Sequence, residues 1–202
     1  MELNQAQREA VEHVDGPCLV LAGPGSGKTT VITCRTRYLI EQAGIHPEHI
    51  LVITFTRAAA GEMKERFLNM MQGVTTPCTF GTFHSVFFQI LRRAYGYRGE
   101  QVLSEDGKRQ ILKGIIQEME LEYEDEEEFI RQIMQEITLV KSEYIDLQHY
   151  YSTSCGEEEF RSVYQRYEER LQKEHRIDFD DMLVYTYELL KERPDILAMW
   201  QK

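Results

Sequence analysis

Apolar and polar positions along this chain keep two different rhythms, and the change falls near Gly99. Before it, short unbroken apolar runs alternate with longer stretches whose apolar residues recur every three or four positions, the pattern of buried strands followed by covering helices. Pro17-Cys18-Leu19-Val20-Leu21-Ala22 reads as a buried strand that runs into Gly23-Pro24-Gly25-Ser26-Gly27 and then a helix from Lys28 to Gln42. His49 to Phe55 reads as a second buried strand, followed by a helix from Ala58 to Met71. Thr79 to Thr82 reads as the end of a third, leading into an amphipathic helix from Ser85 to Tyr95. Beyond Gly99 no β-like run occurs. Apolar residues recur there at helical spacing, as in Phe129, Ile130, Ile133, Met134, Ile137 and Val140, and again in Phe160, Val163, Tyr164, Tyr167 and Leu171. The pattern predicts an α/β first part built on a parallel sheet and an all-helical second part.

Acidic clusters refine the helix ends. Residues 118–128 hold 8 acidic residues in 11, read as an exposed helix end and linker whose Asp125 to Glu128 part favours the next helix's N-terminus. Asp178-Phe179-Asp180-Asp181 is read as a helix start, with Asp178 as N-cap and the other two aspartates complementing the exposed N–H groups of the first turn; that helix should stop near Arg193-Pro194. A divalent metal at either cluster is the alternative. The formal net charge of -11 argues against a nucleic-acid partner only until its placement is considered. Residues 1–100 hold 10 basic and 9 acidic side chains, and residues 101–202 hold 13 and 25, so a basic groove remains open in the first half alone. Cys18, Cys34, Cys78 and Cys155 are far apart, with no CxxC pair, and read as reduced structural thiols. The start Met1-Glu2-Leu3-Asn4-Gln5 carries no secretory pattern, and no apolar run approaches the roughly 18 residues of a membrane span, so a cytoplasmic protein without a membrane partner is expected.

The chemistry concentrates in Ala22-Gly23-Pro24-Gly25-Ser26-Gly27-Lys28-Thr29, a P-loop pattern with Ala22 at its first glycine position. Each residue type has a reason. Glycines let the backbone wrap a phosphate with N–H groups inward, the following helix adds its positive end, Lys28 supplies charge at the β and γ phosphates, and the Thr29 hydroxyl can ligate Mg²⁺. With the adjoining Thr30, these residues form the candidate nucleoside-triphosphate site, with Lys28 and Thr29 as its catalytic pair. A P-loop alone leaves kinases, GTPases, transporters and motor ATPases open.

Three further stretches narrow that choice. Leu3-Asn4-Gln5-Ala6-Gln7-Arg8-Glu9-Ala10-Val11 resembles the Q motif of the UvrD/Rep family of superfamily 1 DNA helicases. Ile53-Thr54-Phe55-Thr56-Arg57-Ala58-Ala59-Ala60-Gly61-Glu62-Met63-Lys64-Glu65-Arg66 resembles the family's motif Ia, and Phe80-Gly81-Thr82-Phe83-His84-Ser85 its motif Ib. Taken alone, Gln7 would be a surface helix residue, and Phe55 and Phe83 core residues. The resemblance implies more: Gln7 recognises the adenine edge, as an amide that donates and accepts can. It also implies that Phe55, Thr56, Arg57, Thr82, Phe83 and His84 line a single-stranded DNA channel, where an aromatic platform suits sequence-tolerant binding.

By the same resemblance, residues 1–97 are the first part of a RecA-like P-loop motor domain (1A). Residues 98–175 are an all-helical inserted subdomain (1B), and 176–202 return to 1A, truncated before the Walker B strand. The sheet would therefore be incomplete. The resemblance implies an ATP- and Mg²⁺-dependent helicase moving 3′–5′ on single-stranded DNA, acting at single-strand/duplex junctions and in DNA repair. Its partner would be the remainder of its own chain, comprising the Walker B strand and the second motor domain. Two departures stand out: Arg57-Ala58 replaces the family's Asn-Lys in motif Ia, and Thr30 replaces an arginine beside the nucleotide. The chain is expected to be an N-terminal fragment that is not catalytically competent alone. The motor of a helicase-nuclease subunit, or a non-catalytic nucleotide- or DNA-binding module, is the other reading.

Overall fold

A computed structural model of the protein describes residues 2–201, so the outermost positions of the expected domains, Met1 and Lys202, lie outside the described residues. The chain divides into two compact units, one running to Val86 and the other Phe87–Gln201.

In the first unit, α1 (Gln5–Glu12) begins with a capping box. Asn4 accepts the N–H of Gln7 at 2.9 Å, and the Gln7 side chain accepts the N–H of Asn4 at 3.0 Å. Next come α2 (Lys28–Glu41), β1 (Leu51–Thr54), α3 (Arg57–Met70) and β2 (Thr79–Thr82), and α4 (Phe83–Tyr95) runs on into the second unit. The two strands pair in parallel, Leu51 opposite Thr79 and Thr54 opposite Thr82. A parallel pair needs a crossover, and α3 supplies it. Its Phe67 is buried against Phe80 of β2, ring centroids 5.3 Å apart, beside Ile50, Cys78 and the α2 residues Leu39 and Ile40.

The sequence reading of three helices and two strands in this unit matches the structure to within a few residues. The first predicted strand does not. Residues 17–22 form no ladder, and Leu19 and Leu21 are 87% and 88% exposed. An apolar run records what a segment gains by burial, but a strand also needs a neighbour for its N–H and C=O groups. Among the described residues β1 and β2 pair only with each other, so this run has no such neighbour.

The second unit is helical, as expected: after the remainder of α4 come α5 (Glu105–Glu118), α6 (Glu126–Ser142), α7 (Glu157–Lys173), α8 (Phe179–Glu192) and α9 (Pro194–Trp200). The apolar faces of α5, α6 and α7 form one core that includes Ile115, Ile133, Ile137, Phe160, Val163 and Tyr167. Asp125 caps α6, accepting the N–H of Glu128, with Glu126, Glu127 and Glu128 in the first turn. Arg193-Pro194 ends α8 as anticipated, but Pro194 at once starts α9, since proline suits a first helical position. Residues 176–201 lie within the second compact unit.

Asp178 caps α8 as expected, in a capping box with Asp181, and the turn is buried. Asp178 and Asp181 are each 2% exposed. The reason is two lysines from neighbouring helices. Lys141 Nζ lies 2.6 Å from Asp181, 3.0 Å from Asp178 and 2.7 Å from Glu168. Lys108 Nζ lies 3.0 Å from Asp180, and the Tyr167 hydroxyl donates to Asp178 at 2.8 Å. Buried charge is tolerated because it is paired and hydrogen-bonded.

Burial and the adjacent charge of Asp178 raise the Asp181 carboxyl to about 7. Burial opposes the charge on Asp178 too, but Lys141 and Lys108 outweigh it and hold that carboxyl at about 2. The stability that Asp181 contributes is complete below the unfolded carboxylate value of about 4 and is lost as pH rises through about 7. The contribution of Asp178 runs the other way, present above that value and lost toward about 2. Melting temperature followed by circular dichroism should therefore fall from about pH 5 to about pH 8, and Asp181→Asn should flatten that slope. Lys141→Met should cost about 3–5 kcal/mol in urea unfolding, because it strands buried carboxylates.

Candidate functional site

The glycine-rich turn enters α2 through two left-handed residues, Gly25 at φ +75° and Gly27 at φ +83°. Only glycine takes that conformation without strain. The first helical backbone bond of α2 runs from the Val31 N–H to the Gly27 carbonyl at 3.0 Å. The N–H groups of Lys28, Thr29 and Thr30 therefore precede the helical ladder and face outward with the positive end of the helix. Lys28 folds back over the loop, its Nζ donating to the Gly23 carbonyl at 2.8 Å and the Ala22 carbonyl at 3.3 Å. Ser26 closes the turn, its hydroxyl donating to Gly23 at 2.7 Å. The Lys28 charge thus lies across a concave run of backbone.

Gln7 belongs to this site through space. Its Nε2 donates to the Ser26 carbonyl at 3.0 Å, while its Oε1 is held in the capping box of α1. Gln7 also sets the room beside the loop: a Cβ on Gly27 would come 3.1 Å from its Nε2. Gln7, Ala22, Gly23, Ser26 and Lys28 line one cavity of about 480 Å³, within the usual range for a ligand pocket. Thr29 and Thr30 stand half-buried in the first turn of α2, and Pro24 and Gly25 are exposed at the crest of the loop.

Arg35 was missed by sequence reasoning. Its guanidinium lines the same cavity and donates to the Ala10 carbonyl at 2.8 Å and to the His13 carbonyl, tying α2 to α1. Its place seven residues after Lys28, two helical turns on and therefore on the same face, was the available signal.

The other candidate residues gather where β1 and β2 end. Because Thr54 pairs with Thr82, the next residues leave the sheet side by side, and the rings of Phe55 and Phe83 lie 5.4 Å apart at 47°. Phe55 is 88% exposed. Thr56 caps α3, accepting the Ala59 N–H at 3.1 Å, and Arg57 is exposed beside it. Thr82 is buried, with its hydroxyl accepting the Ser85 N–H at 3.2 Å and its own N–H donating to Ser85 Oγ at 2.8 Å. It shapes the turn and presents little surface. His84 is half-buried in the first turn of α4. Ser85 was not singled out in advance, although Thr82-x-x-Ser85 is legible as a reciprocal cap.

Among the described residues, no group of three or more His, Cys, Asp or Glu side chains is arranged to hold a metal ion, and no helix is long and apolar enough to cross a membrane. All four cysteines are free thiols.

The sequence matches the UvrD/REP helicase N-terminal domain family over residues 3–202. It is 37% identical over 98% of its length to a putative ATP-dependent DNA helicase, YjcD, of Bacillus subtilis. It is 36% identical over 98% of its length to a probable DNA helicase II homolog of Mycoplasma capricolum. To the ATP-dependent DNA helicase PcrA of Bacillus subtilis it is 35% identical over 99% of its length. The chain spans 27%, 29% and 28% of those three proteins.

If Phe55 is a surface platform and Phe67 a core residue, truncation separates them. Phe55→Ala should leave urea stability within about 0.5 kcal/mol of the parent. Phe67→Ala, at a site only 1% exposed, should cost about 3–5 kcal/mol.

Proposed function

The chain belongs to the UvrD/REP helicase N-terminal domain family, and from that premise we propose that it supplies one wall of the ATP cleft and part of the single-stranded DNA path of an ATP-driven DNA helicase. The observation that carries this reading is the convergence of Gln7, Lys28 and the Gly23–Gly27 turn on one cavity at the N-terminus of α2. Free N–H groups, a helix end and an ammonium together favour a polyphosphate, and the apolar remainder of the cavity favours an aromatic base.

On nucleotide binding Lys28 exchanges the carbonyls of Ala22 and Gly23 for phosphate oxygens, a stronger charge-assisted contact. Gln7 then has a choice of partners, since reading the adenine edge requires its amide to leave Ser26 or the capping box. Thr29 fits a magnesium ion brought in with the phosphates, because it stands at the head of α2 and no protein group bonds its hydroxyl among the described residues. The ion would supply charge neutralisation there. Phe55 and Phe83 stack bases, with Arg57 and the head of α3 beside the backbone.

The exposed run Leu19–Leu21 supports a further part of the reading, that a sheet neighbour comes from elsewhere in a longer chain together with the water-activating carboxylates and a second motor domain. The 202-residue chain would then bind ATP and DNA without turnover, and the whole motor would move 3′–5′. The motor-domain organisation proposed here keeps 1–97 and 176–202 in one functional domain and 98–175 as its insertion.

Lys28→Ala should weaken a fluorescent ATP analogue at least tenfold in equilibrium titration while leaving oligonucleotide affinity unchanged. Phe55→Ala should do the reverse, weakening a single-stranded oligonucleotide by about five- to a hundredfold, the share of one stacked base. Unchanged nucleotide affinity in Lys28→Ala would remove the basis of the reading.

A further inference from the structure

The second unit holds an aromatic recess unrelated to the cavity at α2. Residues 87–201 carry 26 acidic and 15 basic side chains, so nucleic acid should be repelled from most of that surface. Residues 92–98, Arg-Arg-Ala-Tyr-Gly-Tyr-Arg, are the exception: three arginines and two tyrosines in seven positions with no acid among them. Arg92 and Arg93 are exposed and make no ion pair among the described residues, whereas Arg98 lies 3.8 Å from Glu100.

These residues end α4 and turn into a built pocket. Gly96, at φ +75°, donates its N–H to the Arg92 carbonyl at 3.0 Å and reverses the chain. Tyr95 and Tyr97 are thereby set at right angles on either side of the turn, ring centroids 6.2 Å apart at 81°. Arg92 stands three residues before Tyr95 and so shares its face of the helix. The floor is fixed. Gln101 accepts the Arg98 N–H at 2.7 Å and donates to the His175 carbonyl at 2.8 Å, while the Leu103 N–H donates to the Ile177 carbonyl at 2.8 Å. Tyr185 of α8 completes a recess of about 440 Å³ lined by Tyr95, Gly96, Tyr97, Gln101, His175 and Tyr185. Neither the Tyr97 nor the Tyr185 hydroxyl bonds a protein group among the described residues, so both remain available to a ligand.

We propose that this recess receives an unstacked nucleobase of single-stranded DNA, stacked on Tyr95 and Tyr97, with Arg92 and Arg93 on the adjoining phosphates. Aromatic faces take any base, and the arginines supply the backbone attraction that the surrounding acidic surface lacks. The inference rests on the DNA-binding reading above, but it adds a second contact, on the helical unit.

The test uses the whole 202-residue chain and an oligothymidylate carrying 5-iodouracil, photocrosslinked and mapped by mass spectrometry. Adducts are expected on Tyr95 or Tyr97 as well as on Phe55 or Phe83. Tyr95→Ala should weaken the strand by about five- to a hundredfold in anisotropy titration, and Tyr95→Phe should retain affinity, because stacking needs the ring. Tyr95 is 59% exposed, so truncation should leave the melting temperature unchanged. Adducts confined to Phe55 and Phe83, with full affinity in Tyr95→Ala, would overturn the recess and leave the DNA reading standing. Absence of any strand binding would overturn both. Free thymidine monophosphate that competes at Tyr95 as well as the strand does would assign the recess to a mononucleotide and overturn the strand proposal.

Discussion

The parallel pairing of β1 with β2 is the constraint on which the first unit depends. Parallel strands leave the sheet at the same end, so their following residues and helix N-termini converge there. With Thr54 opposite Thr82, Phe55 and Phe83 have to emerge as neighbours, and α3 and α4 have to begin beside them. At α2 no strand precedes the turn among the described residues, and the left-handed glycines alone set Lys28 at the head of the helix beside a cavity. The places of two groups of candidate residues thus follow from backbone geometry before any side chain is chosen.

Most of this was legible because it is local. Glycines at 25 and 27 announce left-handed backbone, Asp178 announces a helix start, and the spacing of Phe129 to Val140 announces a buried helical face. What the sequence withheld was pairing at a distance. The run 17–22 has the composition of a buried strand, but composition cannot tell whether a neighbouring strand is at hand. Arg35 bonds carbonyls 22 and 25 residues away, and Gln7 bonds one 19 residues away, contacts that no period reveals.

The acidic second half shows the same limit in its charges. It conceals two buried lysines, Lys108 and Lys141, whose partners lie 72 and 40 residues further on. They convert an aspartate-rich helix start into the interior of the unit. Their cost in desolvation is offset by the carboxylates they meet, and the Asp181 carboxyl is pushed up to about 7 because its burial and the adjacent charge of Asp178 outweigh the pull of Lys141. Charge totals therefore describe neither the interior of this unit nor its basic, tyrosine-bearing stretch at 92–98.

The central claim is that the turn before α2 holds the phosphates of a nucleoside triphosphate. Hydrogen–deuterium exchange of the chain with and without magnesium–ATP tests it most directly. Amide exchange should slow across residues 23–30 and at the head of α1 around Gln7, with α5 to α7 unchanged. Nucleotide binding that leaves 23–30 exchanging as before, or that protects only the helical unit, would contradict it.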